Sequence, residues 1–157
     1  MSETAGLADQ IRRAFHGDAW HGDSILELLK GVDAKMAAAH PIKNAHSIWE
    51  LVLHIAAWDG AVLKRAGGSA VELSGKRNFP PVEDTSEGAW RKAIEHATRA
   101  HDELVKAVAA FPDARLQEQV PGKTESYHNF FYLFSGIVQH ELYHAGQIAL
   151  LKKGQTR

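Results

Sequence analysis

The chain has 157 residues, long enough to bury a sizeable core in one domain, and no composition shift, repeat or low-complexity tract divides it. A hydrophobic content of 45% and a charged content of 24% are those of an ordinary globular protein. A net charge of -1 with a pI near 6.8 gives no basic patch for nucleic acid or anionic lipid. There is no Cys, so disulfides, thiolate metal sites and cysteine nucleophiles are excluded together, and any thiol chemistry needs an external thiol.

The N-terminal stretch MSETAGLADQIRRAF lacks the apolar region of a secretion signal, and no run approaches the length of a membrane span. The expectation is a cytoplasmic protein that does not engage a membrane. Helical periodicity begins at about Leu7 and continues to about Leu29. HGDAWHGD (16–23) weakens it, which leaves two short helices or one interrupted helix as alternatives.

The second helix is announced by SIWE. Ser47 and Glu50 have the spacing of a capping box, in which each side chain satisfies a free N–H at the helix start. Ile48, Leu51, Ile55, Trp58 and Val62 follow at steps of three and four, and AGGS (66–69) ends the run. The connection from Gly67 to Ser86 is long, and Pro80 and Pro81 forbid a helix through it; loops of this length often cover a site. A third helix follows Asp84–Ser86, with Trp90, Ile94, Ala97, Leu104 and Val108 on one stripe, and closes at FPD (111–113). A fourth is expected from about Tyr127 to Lys152, with Phe130, Leu133, Ile137, Ile148 and Leu151 on its stripe. Helices apolar on one face are not stable singly, so the pattern predicts an all-α four-helix bundle.

The chain contains ten His, and chemistry is expected among them. HELYH places His140 and His144 one turn apart, pointing the same way from within the apolar stripe of the last helix. Two imidazoles buried side by side are costly unless something satisfies them, and a divalent metal would do so through their neutral forms. The letters also spell H-E-x-x-H, the zinc-protease signature in which the Glu is a general base. Such proteases take a third ligand downstream of the motif. Six residues beyond His144 stands Leu150, and no His, Asp or Glu stands between Ala145 and Arg157, so the third ligand is expected from upstream. Periodicity nominates His101 at the centre of the third stripe, and His54 lies at the edge of the second. The residues alone leave that choice open.

SIWELVLHIAAWDGAVLKR (47–65), FPPVEDTSEGAWRKAI (79–94) and IVQHELYHAGQIALLKK (137–153) together resemble the DinB superfamily, the DinB/YfiT-like metal-binding four-helix bundles. The resemblance spans almost the whole chain. It implies a metal site of His54, His140 and His144, with Gly146–Gln147 continuing the last motif. It implies an up-down-down-up bundle, which the long connection between helices two and three would suit. It also implies a divalent ion, nickel or zinc, with open positions for water or substrate, since a structural site would be closed by a fourth ligand.

Glu141 points about 100° away from His140 around the helix, so it reaches such a site only at its edge; a general-base role and a solvated or interhelical charge are both open. Gln147 shares the face of the two His and suits the task of orienting an imidazole. Tyr127, Arg77 and Asn78 are candidates for the rim where substrate enters. The family includes transferases of low-molecular-weight thiols such as bacillithiol or mycothiol, isomerases that use such thiols, and hydrolases. The resemblance therefore implies a metal-dependent enzyme on a small-molecule substrate, a thiol transferase first and a hydrolase second, with a non-enzymatic metal-binding stress protein as the competing class. Bundles of this family often form homodimers, and four Trp leave apolar surface for one.

Overall fold

The computed structural model describes residues 1–155. Six α-helices are found among them: α1 (Glu3–His16), α2 (Ile25–Leu29), α3 (Ala34–Ala38), α4 (Ile48–Ala66), α5 (Glu87–Ala109) and α6 (Phe130–Lys153). The described residues contain no strand, only an isolated bridge between Gln119 and Asn129. Among the described residues no helix is long and apolar enough to cross a membrane.

HGDAWHGD breaks the first helical region into separate helices. α1 stops at His16, Asp18 takes the left-handed φ of 62°, and α2 restarts on a capping box of Ser24 and Glu27. The capping box at Ser47 and Glu50 forms at the head of α4, with both reciprocal hydrogen bonds present. α6 begins at Phe130, later than the periodicity indicated. The Asn129 side chain accepts from Tyr132 N there, and Tyr127 is left in the preceding turn.

The four long helices form a ring of neighbours. α4 packs on α5 and α6, and α1 packs on the same two from the other side. Thr4 meets Asp113 at 2.6 Å and His16 meets Asp102 at 2.7 Å, so α1 and α5 run in opposite senses. Trp49 against Trp90 and Asp59 against His101 set α4 and α5 in the same sense, which only the long connection allows.

The buried apolar residues fall into two groups. One gathers Phe15, Ile48, Trp49, Ile55, Trp90 and Ile148, and the other Ile11, Val62, Leu104, Phe111, Phe130 and Phe134. Each such side chain contributes on the order of 1.5–3 kcal/mol by leaving water. Along α4, α5 and α6 alike, polar residues separate the two groups: Asp59, His101 and Glu141 are all fully buried. The histidines of the candidate site lie in the same middle layer, so apolar packing above and below fixes their helices.

Candidate metal centre

His54 projects from the second turn of α4, and the long connection folds back to hold it. Its Nδ1–H donates to the carbonyl of Asn78 at 2.8 Å, and Phe79 stacks on the ring at a centroid distance of 4.0 Å. His46 stacks on the other face of Phe79 at 3.8 Å. On α6, His144 Nδ1–H donates to Gln147 Oε1 at 2.6 Å. With Nδ1 protonated in both rings, each presents a bare Nε2 lone pair. Those lone pairs converge: His140 Nε2 lies 2.9 Å from His54 Nε2 and 3.1 Å from His144 Nε2.

A neutral His140 with its proton on Nε2 can donate to one of the other two lone pairs, whereas a cation among the nitrogens satisfies all three at once. A proton is a poor candidate. Burial, then the neighbouring His144 and His54, push the His140 imidazole down to about 3, and burial lowers His54 and His144 as well. A divalent ion fits better. At metal–nitrogen bonds of about 2.1 Å, nitrogens so spaced subtend about 90° at the ion, leaving its other positions free. His140 Nδ1 is buried with no hydrogen-bond partner, so of the three rings it is the least constrained by the protein.

His140 also closes one end of a pocket of about 280 Å³ between α4, α6 and the two long connections. Trp58, Val62, Val120, Leu133 and Ile137 give it an apolar wall, and Arg65, Glu72, Lys123 and His128 place polar groups around it. The sequence model of the DinB superfamily matches residues 19–148, most of the chain and all three histidines. The chain belongs to the DinB superfamily. No curated protein and no solved structure matches it.

Within this DinB superfamily member, His54, His140 and His144 come together as a candidate metal-binding group. Gln147 stands against His144. Asn78 turns inward instead of to the rim: its carbonyl holds His54, and its Oδ1 accepts from Trp58 Nε1 at 2.9 Å. Tyr127 is exposed and packs on His128 and Tyr132, which line the pocket while Tyr127 does not. Arg77, exposed on a short 3₁₀ turn (Gly75–Arg77), lines a different depression between α4 and α5. Neither residue reaches the pocket beside His140, because the turns that carry them face outward.

Glu141 lies in the core, away from the edge of the site. It is fully buried, with Oε1 3.0 Å from His101 Nδ1, which donates to Asp59 Oδ2 at 3.2 Å. It is absent from the pocket wall, so it has no access to a substrate there. Phe15 stacks over His101 at 4.3 Å. Burial alone would lower the His101 imidazole, but its hydrogen bond to Asp59 and the facing Glu141 carboxyl at 3.0 Å raise it to about 10. Burial pushes the Glu141 carboxyl up to about 8, with the facing Asp59 adding to the shift. The histidine that periodicity placed at the centre of α5 thus belongs to a separate ionic cluster. Asp59, its partner, carried no sequence signal beyond its place on the buried side of α4.

Proposed function

We propose that this chain is a metal-dependent transferase. It would hold one divalent ion, nickel or zinc, on His54, His140 and His144, and join a low-molecular-weight thiol such as bacillithiol or mycothiol to a small electrophile. The convergence of three neutral Nε2 atoms beside an apolar pocket carries this reading. The bound ion would supply Lewis acidity, lowering the pKa of a thiol or water that reaches it. The chain's own residues do the positioning. The Asn78 carbonyl and Gln147 Oε1 fix the tautomers of His54 and His144, Phe79 blocks ring rotation of His54, and Trp58, Leu133 and Ile137 exclude water. The absence of Cys fits a nucleophile that arrives with the cofactor. The helix senses set by Thr4–Asp113 and Trp49–Trp90 support an up-down-down-up four-helix bundle as the scaffold.

A hydrolase is the second reading, and the pocket supports it less. Its one lining carboxylate, Glu72, is held by Lys123 at 2.6 Å, and Glu141 is in the core, so no carboxylate is free beside His140 to take a proton from water. Metal analysis of the purified protein tests the centre, with about one divalent ion per chain expected and its loss in His54→Ala. The metal-loaded protein is then assayed with each thiol and a generic electrophile. Thiol consumption that disappears in His144→Ala supports the transferase. Ester hydrolysis without thiol consumption moves the reading to hydrolase, and bound metal with neither activity leaves a metal-holding protein.

A further inference from the structure

The pocket that ends at His140 has a charged group at its other end. Arg65 stands in the last turn of α4 and is only 4% exposed. Its Nε and Nη2 both donate to one acceptor, the carbonyl of Val71, at 2.9 and 2.6 Å. Nη1 has no hydrogen-bond partner among the described residues. The nearest carboxylate, Glu72, is 4.0 Å away, with its side chain 70% exposed, and Lys123 holds it at 2.6 Å. A buried guanidinium served by one carbonyl and the negative end of its own helix lacks a full counter-charge. Arg65 and Lys123 against Glu72 leave the pocket one positive charge in excess.

The indole of Trp58 joins the two ends. Arg65 Cζ lies 5.4 Å from its ring centre, and the His140 ring lies 5.5 Å from the same indole. The two connections close over the Arg65 end, where a Cβ at Gly122 would meet Ala70 Cβ at 3.0 Å. Arg65 itself is withdrawn from bulk water, which strengthens a charge-assisted contact to its guanidinium.

We propose that this pocket selects an apolar ligand carrying one carboxylate, with the carboxylate at Arg65, the body on Trp58 and the reactive end toward the three-His centre. This rests on that centre being the reactive end. The planar guanidinium matches a carboxylate's two oxygens, and Nη1 is the donor still to be used. A neutral ligand of the same shape leaves the buried charge as uncompensated as before.

The probes are 3-phenylpropanoate and its amide, 3-phenylpropanamide, equal in shape and different in charge. Calorimetry on the metal-free full chain at low salt is expected to show the acid binding about tenfold tighter or more. The preference should shrink with added salt and fall to about twofold or less in Arg65→Gln. Equal affinities, or binding of neither probe, would overturn the assignment. So would a preference that appears only with metal loaded and persists in Arg65→Gln. That result puts the carboxylate on the ion and leaves the metal reading standing. A preference in a chain that binds no metal keeps the anion subsite and removes the metal reading. Should Arg65→Gln fail to fold, the Nε–Hε NMR signal of wild-type Arg65 decides: it shifts with the acid and not the amide, and an unmoved signal sinks the proposal.

Discussion

The three-His centre and the Asp59–His101–Glu141 cluster occupy the same middle layer, and consecutive residues of α6, His140 and Glu141, serve one each. Their protonation runs in opposite directions. In the first, imidazoles face one another, so burial and mutual repulsion hold them neutral, His140 down to about 3. In the second, two carboxylates face one imidazole, and His101 is held protonated up to about 10. Both sets are buried, so burial does not decide the charge; the facing groups do. The first set is a candidate to take a cation from outside, and the second already contains its own. One helix builds both because neighbouring residues diverge by about 100° around its axis.

The largest expected effect strikes the first set. His140→Ala should take bound divalent metal from about one per chain to none in metal analysis. The metal-free protein should keep its urea stability to within about 1 kcal/mol, because His140 Nδ1 has no partner to strand. His101→Ala should do the reverse. It leaves two carboxylates facing each other in the core, at a cost of about 3–5 kcal/mol in urea unfolding, and the metal content should not change. Release of metal by His101→Ala would mean that the two clusters are a single site.

Protonation sharpens the contrast next. His101 titrates near 6.5 when unfolded and is raised to about 10 in the fold, so between those values only the folded chain holds the proton. That contribution is complete below 6.5 and is lost as pH rises toward 10. Glu141, raised from 4.5 to about 8, acts in the same direction over its own window. His140, lowered to about 3, acts oppositely: below 6.5 the unfolded chain takes a proton that the fold refuses, and stability falls with pH. Urea midpoints of the metal-free protein should therefore decline on both sides of neutrality. His101→Ala should flatten the alkaline limb and His140→Ala should ease the acid one. An alkaline limb unchanged in His101→Ala would refute the assignment.

What was legible in the sequence was local. The capping box at Ser47 and Glu50, the stripes of α4 to α6 and the one-turn pair His140 and His144 each need only helical spacing, and each forms. Which histidine joins that pair could not be read that way. Periodicity brings both His54 and His101 toward the core, and the distinction depends on which helices face each other and on the Asn78 carbonyl returning from the long connection. Asp59 sits between Trp58 and Gly60 and is completely buried because α5 supplies His101 opposite it. The pocket escaped for the same reason: Arg65, Glu72, Lys123 and Tyr132 come from α4, both connections and α6. Tyr127 and Arg77, expected at the rim because they lie at the entry to the last helix and in the long connection, are not in its lining, since turns send neighbouring side chains to different surfaces.

The smallest effect separates two ways of holding an imidazole within the metal centre. His144 depends on a side chain, Gln147 Oε1, whereas His54 depends on a backbone carbonyl, that of Asn78. Gln147→Ala removes the acceptor, and the ring is then free to turn or to move its proton to Nε2, where it would point into the cluster. Metal affinity should fall about 10- to 100-fold, read by competition with a chromophoric chelator. Asn78→Ala keeps its carbonyl and loses only the bond from Trp58 Nε1 to the side chain, so its loss should stay below about tenfold. Equal losses would mean that His54 is positioned by Trp58 and Phe79 packed against it, with the carbonyl contributing little. In that case the long connection acts on the metal through its aromatic ring and not through its backbone.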